Sequence, residues 1–312
     1  MKTNSKKTPS ISIIIPVYNE EDNVEILYNE IRESIEPLKI YYEVVFIDDG
    51  SVDETFNILT KIKMKNQQEV DGLASLRIIK LSRNFGQSAA MQAGFDHATG
   101  EIIVSLDGDL QNDPRDIPRL LNMLEEGYEL VCGWRKDRKD KTLTRIIPSK
   151  IANWLIAKIT GVPIHDNGCS LKAYRGSMIR KVRLYSDMHR FIPAITTLEG
   201  SRITEIVVNH RAREHGISKY GISRIWKVLF DIITIKMLIH FHYRPILWFS
   251  LLASIFFVLG LGLGILTILH ILHGDRSIVY PASSFLCFYL FGSLVTWGFL
   301  AEFFIRIEKS KL

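Results

Sequence analysis

Two uncharged apolar runs constrain this chain more than any other feature: Ile246 to Leu269, 24 residues, and Ala282 to Ala301, 20 residues. Each is long enough to cross a hydrocarbon core of about 30 Å, and such length without a charge suits lipid better than a soluble interior. Two transmembrane helices are expected, over about 246–270 and 282–305. The link His270 to Pro281 holds Asp275 and Arg276 as its only acid and its only lysine or arginine. The spans therefore form a hairpin, and the residues before it share one side with the tail after it. Arg244 ahead of the first span and Arg306, Lys309 and Lys311 after the second mark that side as cytoplasmic. Met1 to Pro9 is polar and lysine-bearing, so no secretory signal is expected. Gly260, Gly262 and Gly264 in the first span would permit close helix packing, including between subunits of a homo-oligomer.

The net charge of +5 conceals an asymmetry. Residues 1–134 carry 13 lysines and arginines against 23 acids, whereas residues 135–312 carry 26 against 11. The basic excess gathers where the chain nears the membrane, which suits anionic headgroups and phosphate-bearing ligands. Nucleic acid is not expected, because no recognition motif accompanies the basic surface. Cys132, Cys169 and Cys287 are far apart and lack a C-x-x-C spacing, so they read as reduced packing residues.

The first 134 residues alternate between strand and helix patterns. Ile11 to Ile15 is a buried strand, and Val24, Leu27, Tyr28, Ile31 and Ile35 follow at helical spacing. Strands are predicted at Glu43 to Ile47, Leu76 to Leu81, Ile102 to Leu106 and Glu129 to Val131. Helices are predicted over Asp53 to Ile62, near Gln87 to His97 and from Pro114. This pattern predicts an α/β domain whose mostly parallel sheet carries helices on both faces. Ligands of such sheets bind beyond the carboxyl ends of the strands.

Polar residues gather at those ends. The strand at 102–106 runs into Asp107-Gly108-Asp109-Leu110-Gln111, two carboxylates flanking a glycine, suited to a divalent cation whose other positions stay free for phosphate oxygens. The other strands end at Pro16-Val17-Tyr18-Asn19-Glu20, at Asp48-Asp49-Gly50-Ser51 and at Ser82-Arg83-Asn84-Phe85-Gly86. A carboxylate after the second strand can accept hydrogen bonds from a ribose or a base edge. Asp48, Asp49 and Asp53 equally suit turn formation and helix capping.

Taken together, these four motifs resemble the family-2 glycosyltransferases of the GT-A fold. More narrowly, the chain resembles polyprenyl-phosphate glycosyltransferases: the dolichyl-phosphate mannose synthases and the bacterial enzymes that load glucose onto undecaprenyl phosphate. The likeness covers about residues 10–305, including the hairpin. It implies an inverting, metal-dependent transfer of a sugar from a nucleotide sugar to a polyprenyl phosphate, undecaprenyl or dolichyl, on the cytoplasmic leaflet, and a bacterial inner-membrane location. Asp107, Asp109 and Gln111 would bind Mg²⁺ or Mn²⁺ at the donor diphosphate. Pro16, Tyr18, Glu20 and Asp48 would hold the nucleoside, with Asn84, Gly86 and Gly108 beside the donor. Arg135 and Arg138 match an arginine-bearing loop that meets phosphate, and Arg213, Ser218 and Lys219 belong to a basic loop that closes over phosphates. Asp166, in Asp166-Asn167-Gly168-Cys169-Ser170-Leu171-Lys172-Ala173-Tyr174-Arg175, which resembles the family's second acidic motif beside the acceptor, would position the acceptor or take its proton.

The resemblance divides the chain into a catalytic domain over 1–221, a juxtamembrane amphipathic helix over 222–243 and the hairpin over 244–312. Residues 135–158 hold eight lysines and arginines against two aspartates, and Ile151, Trp154, Leu155 and Ile159 share a helical face. An interfacial helix near 145–160 is expected. UDP-glucose is the expected donor, with GDP-mannose or another UDP-sugar as alternatives. A processive polysaccharide synthase would want Gln-x-x-Arg-Trp, which is absent, and a sugar nucleotidyltransferase would want a glycine-rich loop where Val17-Tyr18-Asn19-Glu20 stands. A non-catalytic lipid-binding scaffold is the alternative of a different class.

Overall fold

β-branched runs build the centre of the catalytic half. The computed structural model describes residues 9–67, 73–137, 147–184, 188–197, 200–212, 234, 245–274 and 277–310. It divides into two compact units, Met1–Ile232 and Ile233–Leu312. In the first, β1 (Ile11–Val17), β2 (Tyr42–Asp48) and β3 (Ala74–Lys80) lie in parallel, with Ile13 opposite Val44 and Val44 opposite Leu76. β4 (Ile102–Ser105) pairs in parallel with the other side of β1. β5 (Leu130–Trp134), β6 (Lys172–Arg175) and β7 (Ile203–Val207) complete a seven-stranded sheet in the order β3-β2-β1-β4-β6-β5-β7. β6 runs antiparallel to both β4 and β5, while β7 is parallel to β5. β1 and β2 are buried along almost their whole length, as strands covered on both faces must be.

Alternate residues of those strands face different helices. Ile11, Ile13 and Ile15 share a core with Val24, Leu27, Ile31 and Ile35 of α1 (Val24–Ile35), Leu59 and Ile62 of α2 (Thr55–Gln67), and Ile117, Leu120 and Leu124 of α4 (Ile117–Glu125). On the opposite face, α3 (Gln87–His97) packs so closely that a methyl at Gly94 would lie 3.0 Å from the Ile47 side chain and 3.2 Å from that of Ile14. The expected mostly parallel sheet with helices on both faces is therefore present. β6 and β7 extend it beyond the strands predicted from pattern. β6 carries a lysine and an arginine and β7 is only half-buried, so neither has the apolar signature that identifies β1 and β2.

At the sheet's N-terminal edge, opposite the ends where ligands bind, Glu43 is buried within a complete set of donors. Its carboxylate accepts from Ser12 Oγ at 2.5 Å, Thr99 N at 2.7 Å, Thr99 Oγ1 at 2.8 Å and Arg77 Nη1 at 3.1 Å. Ser12 Oγ in turn accepts from Gly100 N at 2.8 Å. This network joins the start of β2 to the turn between α3 and β4.

α5 (Ile147–Thr160) stands where an interfacial helix was expected. Ile156 is buried, while Trp154 is 60% exposed with Lys158 Nζ 4.9 Å from its ring centroid. The expected helix over 222–243 lies outside the described residues, Thr234 apart. Two short helices, α6 (Gly176–Ile179) and α7 (Ile192–Thr197), follow β6.

The second unit consists of α8 (Pro245–Leu272) and α9 (Val279–Ser310), both long and apolar enough to cross a membrane. α9 starts before Pro281, because a first-turn residue needs no intrahelical N–H bond, so the link is shorter than expected. Ser284 Oγ donates to the Gly260 carbonyl at 2.8 Å, and a methyl at Gly298 would come within 2.9 Å of Phe249 Cβ. Gly260 and Gly298 thus let the two helices approach, whereas Gly262 faces open space. Large apolar side chains point outward, Leu251 at 70% exposure and Phe285 at 74%, an arrangement that suits lipid.

Glu43 yields a stability prediction. Burial works against its charge, but the bonds from Ser12, Thr99 and Arg77 hold its carboxyl below the usual value of 4.5. Its contribution is therefore full above that value and is lost as pH falls through the lower folded one. Glu43→Gln is expected to cost about 1–3 kcal/mol at neutral pH and to weaken the acid-side loss of stability, read by denaturant unfolding across pH 3–7.

Candidate active site

Six parallel strands release their carboxyl ends along one edge, and the antiparallel β6 begins there. At the end of β4, Gly108 lets the chain turn tightly against β1: a Cβ there would sit 2.7 Å from Val17 Cγ1. Leu110 takes a left-handed backbone with φ 60°, costly by about 1–2 kcal/mol for a residue with a Cβ. Its side chain is buried in the main core, and that anchorage holds the turn. The strain sets Asp107 and Asp109 side by side at the crevice.

Asp107 Oδ1 accepts from Gln87 Nε2 at 2.6 Å, and Asp109 Oδ1 accepts from the Gln111 backbone N–H at 3.2 Å. Burial and the adjacent charge of Asp109 push Asp107 up to about 6, against a hydrogen bond from Ser170 and the positive charges of Arg135 and Lys172. Among the described residues no three or more His, Cys, Asp or Glu cluster into a metal cage. A divalent cation held here would take the two carboxylates and fill its remaining positions with water or ligand oxygens, the habit of Mg²⁺ at phosphate sites.

The loops after β1 and β2 are laced together. Asn19, in a left-handed conformation that asparagine tolerates, donates its N–H to Ser51 Oγ and accepts from Val52 N, each at 2.9 Å. Glu20 N donates to Thr55 Oγ1 at 2.8 Å, and Glu20 Oε2 accepts from Asn23 Nδ2 at 2.6 Å, close to the start of α1. Asp53 accepts from Thr55 N and Glu21 N, a capping role. Pro16 and Tyr18 are half-buried beside them. Asp48 is fully buried: Oδ1 accepts from Ser51 N at 2.9 Å, while Oδ2 has no hydrogen-bond partner among the described residues. A carboxylate oxygen so placed lacks the donor that a base edge or ribose would supply.

Asp49 is a tether. Its oxygens accept from Phe85 N at 2.8 Å and Gly86 N at 2.9 Å, fixing the 83–86 loop that carries Asn84 and Gly86. Burial and neighbouring Asp48 raise its carboxyl despite those bonds. Gly50 has φ +73°, and a Cβ there would lie 2.5 Å from the Arg83 carbonyl carbon, so no other residue fits this approach.

The structure joins two residues to which separate roles were expected. Arg135 Nε donates to Asp166 Oδ2 at 2.7 Å and Nη2 to Oδ1 at 3.0 Å, with both side chains largely buried. Burial opposes the charge of Arg135, and Asp166 more than restores it. With both oxygens on one guanidinium, Asp166 is better suited to orienting Arg135 than to removing a proton. Asn112 Nδ2 donates to Ser170 Oγ at 2.8 Å, tying the 166–171 loop to the aspartate loop. Lys172 Nζ donates to the carbonyls of Asn167, at 3.2 Å, and Cys169. Burial pushes the Cys132 and Cys169 thiols up to about 12 and about 11, so both are neutral packing groups. Beside them His165 stacks on Trp134 with centroids 4.3 Å apart and bonds through Nδ1 to Glu205.

Beyond β7, Arg211 N donates to the Gln111 carbonyl at 2.8 Å, and its guanidinium bridges Glu30 at 2.7 Å and Asp113 at 2.8 Å. Arg138, Arg213, Ser218 and Lys219 lie outside the described residues. Gln87, Asn112 and Arg211 are the site-forming residues that motif reading missed. Lys172 lies inside the motif that begins at Asp166, a lysine between apolar Leu171 and Ala173, but no role was assigned to it there. Gln87, Asn112 and Arg211 are ordinary polar residues until the fold brings them to this edge.

Residues 12–183 match the model of glycosyl transferase family 2. The dodecaprenyl-phosphate galacturonate synthase of Rhizobium johnstonii is 46% identical over 266 residues, covering 84% of this chain and 75% of the relative. An undecaprenyl-phosphate 4-deoxy-4-formamido-L-arabinose transferase of Yersinia enterocolitica is 34% identical over 309 residues, 98% of this chain and 91% of its own. Among solved structures, the glucosyl-3-phosphoglycerate synthase of Mycobacterium tuberculosis, crystallised with Mn²⁺, UDP-glucose and phosphoglyceric acid, superposes with a TM-score of 0.55. At 18% identity over 74% of this chain and 79% of that one, it shows a shared fold.

Arg135→Ala and Asp166→Ala should each cost about 3–5 kcal/mol of stability, because each strands a buried charge. The double variant should lose less than the sum by about 1–3 kcal/mol, measured in a double-mutant cycle of denaturant unfolding. Additive losses would mean that the two side chains do not depend on each other.

Proposed function

The chain belongs to glycosyl transferase family 2, and from that premise we propose that it moves a sugar from a nucleoside diphosphate to a membrane polyprenyl phosphate, inverting the anomeric carbon. The observation that carries this reading is the placement of two carboxylates, Asp107 and Asp109, in one tight turn at the carboxyl end of β4. At the end of β2, Oδ2 of buried Asp48 has no hydrogen-bond partner among the described residues. The names of the Rhizobium and Yersinia relatives support the acceptor class.

In this reading Asp107 and Asp109 hold Mg²⁺ or Mn²⁺, with Gln111 supporting Asp109 through its N–H. When bound, the cation neutralises charge gathering on the leaving diphosphate. Asp48 accepts from the nucleoside, with Pro16, Tyr18 and Glu20 around it, and Asn84, Gly86 and Gly108 border the donor. Arg135, oriented by Asp166, donates to phosphate, joined by Arg138, Arg213, Ser218 and Lys219. The acceptor phosphate has a second pKa near ~6 and is already a nucleophile at neutral pH. A positioning carboxylate therefore suffices, and Asp166 needs no proton-accepting role.

Residues 1–221 form the cytoplasmic catalytic domain in this proposal, with 222–243 along the membrane and 244–312 as the anchoring hairpin of a bacterial inner-membrane protein. The relatives' names draw the donor away from the expected glucose, towards a UDP-linked galacturonate or 4-deoxy-4-formamido-L-arabinose. UDP-glucose and GDP-mannose remain the comparison substrates.

Purified protein given each radiolabelled donor, Mn²⁺ or Mg²⁺ and undecaprenyl phosphate should pass label to the organic phase from one donor class. Asp109→Ala should lower that transfer by at least about 100-fold while the protein stays folded and membrane-bound. Transfer from none of the donors would favour the scaffold alternative, and an undiminished D109A rate would overturn the role given to the carboxylate pair.

A further inference from the structure

Lys172 is only 3% exposed, and among the described residues no other lysine or arginine is as deeply buried. Burying an ammonium costs several kcal/mol unless its charge is compensated. Yet no carboxylate among the described residues lies within ion-pair distance, and the protein acceptors of Nζ are the carbonyls of Asn167 and Cys169. Those carbonyls belong to the loop that carries Asp166 and, through it, orients Arg135. The sheet register explains what else the charge meets. Lys172 lies opposite Ser105 in β4, two residues before Asp107, and opposite Cys132 in β5, three residues before Arg135. The charge of Lys172 therefore lies one strand away from the turn that holds Asp107 and Asp109.

Resting on the reading of Asp107 and Asp109 as the cation-holding pair, we infer that Lys172 is a positioning residue: a buried cation that offsets the repulsion between the two aspartates and holds the 166–171 loop through its carbonyls. Its charge competes with a divalent cation for the same carboxylates, while its hydrogen bonds keep the acceptor-side loop in register. The two effects have opposite signs when the side chain is replaced. Loss of the charge favours the metal alone, and loss of the brace harms transfer. A lysine that merely filled space would give no such split, since general loosening of the site weakens both.

The test uses the full-length protein in detergent, with Mn²⁺ affinity without nucleotide read from the free-ion paramagnetic resonance signal and turnover read by label transfer. Lys172→Gln removes the charge, and its amide, carried on a side chain one atom shorter than lysine's, does not brace both carbonyls. It should bind Mn²⁺ about tenfold more tightly than the wild type, while turnover falls at least about tenfold. Lys172→Arg keeps the charge and should leave Mn²⁺ affinity within about threefold. Wild-type protein that binds Mn²⁺, loses it in D109A and shows no tightening in K172Q would overturn this inference alone. Tightening in K172R equal to that in K172Q would also overturn it, because charge would then not be the cause. Wild-type protein that binds no Mn²⁺ would overturn the carboxylate-pair reading beneath it.

Discussion

Two carboxylates separated by one glycine cannot crowd a partly enclosed sheet edge unless positive charge meets them, and much of the molecule's polar architecture answers that demand. Gly108 and the left-handed Leu110 force the crowding, and Arg135 and Lys172 relieve part of it from inside the protein. A low-dielectric crevice makes uncompensated charge expensive, so in the proposed reading a cation and a diphosphate arriving together would make the same geometry more favourable.

The loops at this edge depend on one another for their positions. Asp49 holds the 83–86 loop, Asn19 and Ser51 hold each other's turns, Asn112 joins the aspartate loop to the 166–171 loop, and Lys172 braces that loop from within. Several of these ties are backbone N–H groups meeting side-chain oxygens, so each side chain fixes a neighbour's main chain. Burial works against the charge of Asp113, but Arg211 and the Arg115 N–H hold its carboxyl below the ordinary value, and the segment after β7 is secured to the same assembly.

Much of this was legible in the residues. β1, β2 and β4 declare themselves by short apolar runs rich in isoleucine and valine, and α1 by its buried positions at 24, 27, 28, 31 and 35. The aspartate pair and the buried carboxylate of Asp48 follow from polar residues placed just after such strands. β6 and β7 were hidden, one by its lysine and arginine and the other by partial exposure. The pairing of Arg135 with Asp166 was equally invisible, because 30 residues separate them in the chain and only the antiparallel return of β6 brings the 166–171 loop beside the end of β5. Pattern reports which residues are buried. It does not report which charges will find each other across a sheet.

Arg211 has a mechanical meaning. It follows β7 by four residues and is fastened at three points: its N–H to Gln111, its guanidinium to Glu30 and to Asp113. Lifting β7 off the edge of the sheet therefore means breaking these ties as well as the ladder to β5. The arginine works as a rivet between the last strand, the first helix and the turn that follows residues 107–111.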